Sequence, residues 1–575
     1  MNLFSDYQKK IFEYLKILKK DDIIGISENT KEITVELPPK NQNAHISCNA
    51  AMILAKFNKT SPIKLAEILQ KHFLLNFKEF QYIEIAKPGF LNISFHSSFW
   101  QNYLSEVIKM SNKYGSNINK LKKYNIEFVS ANPTGPLHVG HCRGAVLGDT
   151  LSNLLAFNGN HVTKEYYVND YGGQIKNFVE SVHHRILEIT KNIPFPKKKD
   201  LYPGDYIVDI AKKIIKKKNI KNFNNIEKII NVLTDESLKC SMEMIMENLN
   251  LLGIKHDNFV YESKLIKNNV VAKAIEDLKK NNYVYSGKLK PPKGEITKDW
   301  KIREQLLFKS TQFGDDIDRP LQKADNTWTY FAGDIGYHSD KILRKYDILI
   351  NILGADHSGY INRISSAVKA LSKNKVNLIC KVSQLVKLYK NGQPFKMSKR
   401  KGDYITVDDL IKEVGKDSTR FIMLSRSNET ELDFDFKKVT EKSKDNPVFY
   451  VQYAFARIKS IFRALNLNIE DEIKISNLDF ELNNHEIQIM KKISEWPKCV
   501  ELSSSKLEPH RIPFYLYELA TLFHAYWNMG SKNKELRFVA DQSKINFLRL
   551  ALLQALSIVI TNGMKILGVS TPSSM

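Results

Sequence analysis

EFVSANPTGPLHVGH, residues 127–141, reads as a short strand that ends in a turn and opens a helix. Ile126, Phe128 and Val129 are β-branched or aromatic; Asn132-Pro133-Thr134-Gly135 is turn chemistry; an amphipathic helix pattern follows, with Pro136 expected in its first turn. A helix N-terminus presents unpaired N–H groups and partial positive charge, so it suits a phosphate. His138 and His141 fall on one face of that turn, and Gly140 leaves room for a flat ring against the backbone. Two histidines one turn apart are also half of a metal site, but no third ligand with zinc-like spacing lies nearby.

About 250 residues downstream, Lys396-Met397-Ser398-Lys399-Arg400-Lys401-Gly402 forms a dense cationic run ending in glycine. Strand-like runs at Val162–Val168, Ile348–Leu353 and Val376–Val382 alternate with helical stretches. That alternation predicts a doubly wound parallel sheet, in which ligands bind beyond the strand C-termini and both stretches converge on one nucleotide.

Composition sets the outer limits. A chain of 575 residues with 43% hydrophobic content holds core material for two to four domains and is too mixed to be disordered. The formal charge of +23 favours a polyanionic partner such as RNA. Five scattered cysteines without a Cys-x-x-Cys argue for reduced thiols and against a zinc ribbon; Cys142, beside His141, reads as a packing residue. Neither a signal peptide nor an uninterrupted apolar run of membrane-spanning length is apparent, so a soluble cytoplasmic protein is expected.

Residues 1–110 read as an α+β module, residues 111–125 as a polar linker within a nucleotide-binding domain spanning 111–440, and about 176–300 as a helical, Lys-rich insertion. From 441 to 575 apolar residues recur at helical spacing, which predicts an all-α bundle. Most lysines of the insertion, and most aromatics of the bundle, are read as solvated faces and core respectively.

The two stretches, in this order, resemble the signature motifs of class I aminoacyl-tRNA synthetases. SANPTGPLHVGHCRGAVLGD (130–149), YYVNDYGGQI (166–175), YPGDYI (202–207), TYFAGDIGYH (329–338), LGADHSGYI (353–361), KMSKRKG (396–402), LDFDF (432–436) and NPVFYVQYAFARI (446–458) are together similar to the arginyl-tRNA synthetase family. The resemblance implies a Rossmann-like catalytic core, an additional N-terminal tRNA-binding domain, and a helical anticodon-binding domain. It implies ATP-dependent activation of L-arginine and its transfer to the 3′ end of tRNA(Arg), with Mg2+ entering with ATP, no zinc, and no protein nucleophile.

By the same resemblance His138, His141, Lys396 and Lys399 are the catalytic residues, and Pro136, Gly140, Asp356, His357, Met397 and Ser398 join them around ATP. Glu127, Ser130, Asn132, Tyr330 and Asp334 hold arginine: Asp334 and Glu127 take the guanidinium, Tyr330 its edge, and Ser130 and Asn132 the polar end. Tyr450, Tyr453 and Trp527 are candidates for stacking on unpaired tRNA bases, and Phe455 stands where the family often has histidine. A monomer is expected, and arginine activation is expected to need bound tRNA. Three rivals remain open: a synthetase for another amino acid, a catalytically silent tRNA-binding relative, and a nucleotidyltransferase of the same fold. The intact signature residues argue against the silent relative; the C-terminal bundle and basic charge argue against a small-molecule enzyme.

Overall fold

The computed structural model describes residues 1–26, 32–39, 42–117, 121–217, 220, 222–289, 303–390, 392–395, 405–471, 473, 481–540 and 545–575. The chain divides into two compact units, one of 1–117 with 443–507 and 511–575, the other of 118–442 with 508–510.

The second unit carries the nucleotide fold. Five parallel strands lie in the order Asn377–Ser383, Ile348–Gly354, Lys123–Glu127, His161–Val168, Asn258–Tyr261. The strand that comes first in the chain is central, and successive strands are added first to one side of it and then to the other. The order therefore reverses between Lys123–Glu127 and Ile348–Gly354, and a crevice opens beyond their C-terminal ends. Asn125, Ile126, Leu349 and Ile350 are fully buried, as expected of parallel strands covered on both faces.

Three helices, Gly173–Lys191, Asp205–Lys217 and Ile226–Leu251, pack around Phe178, Val182, Ile186, Ile207, Ile210 and Leu233 as a core of their own. Lys197, Lys198, Lys199, Lys212, Lys213 and Lys216 are exposed. Within the stretch read from sequence as one insertion up to about 300, Asn258–Tyr261 joins the sheet beside His161–Val168. Four residues are too few to show the periodicity that would separate a strand from its helical surroundings.

In the first unit the antiparallel sheet runs Val35–Glu36, Ile46–Cys48, Phe90–Phe95, Phe80–Ala86. Phe90–Phe95 does not alternate in burial: Asn92 and Ser94 are as buried as Leu91 and Ile93, because both faces of this inner strand are covered. The segment expected to be a plain polar linker holds a fully buried Tyr114. Its hydroxyl donates to the Ile493 carbonyl at 2.9 Å, and the Trp496 indole donates to its own carbonyl at 2.9 Å. A linker composition therefore concealed an anchor into the helical bundle of Pro447–Ala464, Asn484–Ser494, Trp496–Ser505, Arg511–Lys532 and Phe547–Leu567. Among the described residues Phe547–Leu567 is the one helix long and apolar enough to cross a membrane, a run the sequence reading did not single out; 83% of its apolar window is buried within the protein, as for a bundle's core helix.

Candidate active site

The signature helix spans Val139–Phe157, with His138 as its N-cap, so Pro136 lies ahead of the first turn rather than in it. The helix starts at His138 because ring and backbone satisfy each other there. The Gly140 N–H donates to His138 Nδ1 at 3.1 Å, and the His138 N–H donates to His141 Nδ1 at 3.2 Å. With both Nδ1 atoms accepting, each neutral ring carries its proton on Nε2. The rings lie 3.9 Å apart between centroids at the helix N-terminus, where an anion is favoured. Cys142 is buried in this helix, and burial pushes its thiol up to about 12, so it packs.

Lys396, Met397, Ser398 and Lys399 lie outside the described residues. The residues on either side of them do not. The chain leads up to them through Gln393–Phe395, paired with Val386–Lys390, and continues after them at Ile405, Thr406 and Val407. There the Val139 N–H donates to the Ile405 carbonyl at 3.0 Å, the Val407 N–H donates to the Leu137 carbonyl at 2.9 Å, and His138 bridges Thr406. From the signature helix, the buried Arg143 donates to the carbonyls of Gln384, Ser427 and Thr430 at 3.0, 2.8 and 2.6 Å. Ile405, Thr406 and Val407, which follow the cationic run in the chain, are thus tied to the histidine turn.

Beyond the strand ends lies a group of carboxylates. Glu127, the last residue of its strand, meets the buried Lys341 ammonium at 2.6 Å and accepts from Ser130 Oγ at 3.2 Å. Ser130 Oγ also accepts the Tyr167 N–H at 3.0 Å, so this hydroxyl orients Glu127. Val129 and Ser130 both have left-handed backbone, φ 68° and 41°. For a β-branched valine that costs on the order of 1–2 kcal/mol, and it turns Ser130 onto these partners.

Tyr330 and Asp334 sit one turn apart at the start of Tyr330–Leu343; Tyr330 is 69% exposed, whereas Asp334 accepts from the Tyr360 phenol. Burial, with the charge of Glu127 adding, pushes the Asp334 carboxyl up to about 7 even with Tyr360 beside it. Lys341 donates to Asn351 Oδ1 at 3.1 Å, Asn351 contacts His338 Nε2 at 3.0 Å, and His338 Nδ1 contacts the Asp334 carbonyl at 2.9 Å. Burial holds His338 down at about 3, so it is a neutral member of this chain.

Sequence reasoning missed two of the carboxylates, Glu262 and Asp170, and the Tyr167 ring beside them. Glu262 opens the helix after Asn258–Tyr261, and burial, with the charges of Asp334 and Asp170, raises it to about 7. With its NH2 group turned toward them, the Asn169 amide donates to Glu262 at 2.6 Å and to the Tyr171 carbonyl at 3.3 Å. The Tyr167 ring stacks on Tyr337 at 4.3 Å; burial and the charges of Glu262, Asp334, Glu127 and Asp170 raise its phenol far above the usual range. The available signal was position: Glu262 lies at a strand C-terminus, where such sheets bind ligands. Four carboxylates with few cations between them form a site for a cationic group.

Asn132, Gly135, His138, His141, Tyr202 and Tyr206 are among the residues lining a cavity of about 400 Å3 beside the helix N-terminus. Asn132 is held there by Gln174 Oε1 at 2.6 Å. Asp356 Oδ2 and His357 Nε2 lie 3.6 Å apart just past Ile348–Gly354, both side chains well exposed. Among the described residues no group of three His, Cys, Asp or Glu is placed to hold a metal.

In the other unit, the structure brings Tyr450, Tyr453 and Trp527 around Arg457 and His524. The Arg457 guanidinium lies 4.2 Å from the Tyr453 ring and 4.9 Å from that of Trp527, and Tyr450 packs on His524 at 4.3 Å. Phe455 is buried. The C-terminal tail returns to the same helix, where Gln452 and Arg463 donate to the Ser570 and Ser573 carbonyls at 3.0 and 2.7 Å.

Residues 103–443 match the family described as tRNA synthetases class I (R), catalytic domain, and the fold and signature helix accordingly define a class I aminoacyl-tRNA synthetase. Residues 5–95 match the arginyl tRNA synthetase N terminal domain, and 451–575 the DALR anticodon binding domain. The chain is 56% identical to an arginine–tRNA ligase of Pelagibacter ubique and 43% identical to one of Bartonella quintana, each match covering the whole of both chains. The arginyl-tRNA synthetase structure of Plasmodium falciparum, 18% identical, shares the fold with a TM-score of 0.70 over 99% of each chain. The chain belongs to the arginyl-tRNA synthetase family.

Proposed function

We infer that the protein activates L-arginine with ATP and transfers it to tRNA(Arg). An arginine carboxylate oxygen attacks the ATP α-phosphorus, the bond to the bridging oxygen breaks, and pyrophosphate leaves. A ribose hydroxyl of the terminal adenosine then attacks the arginyl carbonyl, gives up its proton, and AMP departs. Negative charge gathers on the phosphate oxygens, so the protein's task is positioning and electrostatic stabilisation. His138 and His141 supply Nε2–H donors at the helix N-terminus; Gly140 lies under adenine; Lys396 and Lys399 neutralise the leaving group. ATP enters as its Mg2+ complex.

Arginine's guanidinium goes to Asp334 and Glu262, whose charges are least matched, with Glu127 completing the field from its ion pair with Lys341. Tyr330 borders the guanidinium and Asn132 the polar end; Asp356 and His357 flank the nucleotide. Tyr450, Tyr453 and Trp527, with Arg457 between the latter two, form a platform for unpaired tRNA bases. We place the protein in the cytoplasm as a monomer.

One observation carries the reading: a cluster of under-neutralised carboxylates lies at the same sheet edge as a helix N-terminus that carries two histidines. The test is arginine-dependent ATP–pyrophosphate exchange and tRNA charging, with and without tRNA(Arg). Exchange requiring both arginine and tRNA supports the enzyme and an RNA-gated site, and exchange without tRNA keeps the enzyme alone. Tight tRNA binding with no exchange or charging returns the reading to a silent relative.

A further inference from the structure

The YPGDYI segment, residues 202–207, comes from the helical insertion, yet it forms one wall of the cavity beside His138 and His141. Tyr206, in the first turn of Asp205–Lys217, makes the contact. Its hydroxyl donates to the Thr134 carbonyl at 3.0 Å, inside the turn that leads into the signature helix. Its ring is enclosed by two glycines, one from each segment. A Cβ on Gly135 would lie 3.2 Å from the ring's Cζ and Oη, and one on Gly204 would lie 2.5 Å from its Cε1. The side chain packs against the insertion's core. A second tie runs parallel to it, from Asn132 in the turn to Gln174 at the start of the insertion's first helix, at 2.6 Å.

We propose that Tyr206 is a positioning residue of the adenylation site: anchored in the insertion, it holds the Asn132–Pro136 turn in the geometry that the phosphate donors need. The turn is held at its two ends, where the Tyr166 phenol donates to the Ala131 carbonyl at 2.8 Å and the Leu137 N–H donates to Asn248 Oδ1 at 2.9 Å; Tyr206 reaches its middle. Thr134 N–H bonds locally to the Asn132 carbonyl at 2.8 Å, which curls the turn without fixing where it points. His138 follows four residues after Thr134, so a shift in the middle of the turn reshapes the cavity wall beside the histidine pair even while the turn's ends stay fixed. Loss of one neutral hydrogen bond of this kind corresponds to roughly a three- to tenfold change in rate when it is realised in the transition state. A misplacement well below 1 Å is enough to matter there.

The inference rests on the ligase reading, and the experiment separates the two. Wild-type, Tyr206→Phe, Gly135→Ala and the double variant, all full length, are compared in tRNA(Arg) charging, with kcat and KM for ATP and for arginine, alongside heat unfolding. Gly135 lies outside the left-handed region, so alanine there probes only the space beside the ring. Tyr206→Phe should lower kcat roughly three- to tenfold, with KM for arginine within about twofold of wild type and the unfolding midpoint unchanged. Gly135→Ala should act in the same direction, and the double variant should be no worse than the weaker single, because both act on one contact. Wild-type kcat in Tyr206→Phe, a loss matched by a lowered unfolding midpoint, or strictly multiplicative effects would each overturn the positioning role. A wild-type chain that charges no tRNA with arginine would remove the ligase reading and this inference with it.

Discussion

Replacing Asp334 with asparagine should make the arginine-free protein more stable at pH 8 while crippling its use of arginine. The Asp334 carboxyl holds its proton up to about 7, against 3.8 ordinarily, because it is buried and faces Glu127. The sign follows from proton linkage. Below about pH 4 folded and unfolded chains both bind the proton, and the group contributes nothing. Between about 4 and 7 the folded state keeps a proton that the unfolded state has released, so stability falls as pH rises; above 7 the whole cost is present. That cost is about 4 kcal/mol for an isolated group. Burial is the larger cause and the Glu127 charge the smaller, and asparagine removes the buried charge itself, so the variant should recover on the order of 2 kcal/mol or more of this cost. Asparagine can still accept from the Tyr360 phenol, so the substitution removes charge without orphaning a partner. Heat unfolding without arginine at pH 4, pH 6 and pH 8 tests this: the variant should be close to wild type at pH 4 and exceed it by a margin that grows to pH 8. Its kcat/KM for arginine should fall roughly 100-fold or more, since a charged guanidinium partner is lost. A variant less stable than wild type at pH 8, or an equal gap at every pH, would refute the reasoning.

Arginine binding should release protons near neutral pH, because a guanidinium selects the ionised forms of Asp334 and Glu262 amid Glu127, Asp170, Lys341, Arg363 and Tyr360. Calorimetric titration at pH 7 in two buffers of different ionisation heat reads this directly, and affinity should rise from pH 6 to pH 8; zero net proton release would contradict it. Lys341→Met should destabilise the protein by about 3–5 kcal/mol and raise KM for arginine, since it strands the Glu127 charge and breaks the chain through Asn351 to His338. Unchanged unfolding in that variant would count against a structural ion pair. Arg457→Ala should weaken tRNA(Arg) binding roughly tenfold in a filter-binding assay while leaving KM for ATP and arginine near wild type.

How far the sequence reached varied with the distance over which each feature is decided. The strand, turn and helix around His138 were legible because contiguous φ/ψ preferences settle them: β-branched residues, then Asn-Pro-Thr-Gly, then a helical apolar period. The helix start was read too early at Pro136, because proline's preference for a first turn competes with ring-to-backbone bonds that only a folded His138 and His141 can make. Tyr114 was hidden by its neighbours: a single buried ring in a polar segment leaves no periodic trace.

The sequence by itself determined the class of fold, through its alternating elements, and the chemistry in reach of each local motif: anion donors at a helix N-terminus, a cationic run, acids at strand ends. Tertiary structure alone decided which charges meet. Lys341 reaches Glu127 across 214 positions, and Arg143 reaches Gln384 across 241. Whether an acid is neutralised, as Glu127 is, or left proton-seeking, as Asp334 and Glu262 are, depends on burial and on partners from other strands and helices. No local pattern encodes that, because desolvation and Coulomb interactions act through space, while sequence periodicity reports only on neighbours along the chain.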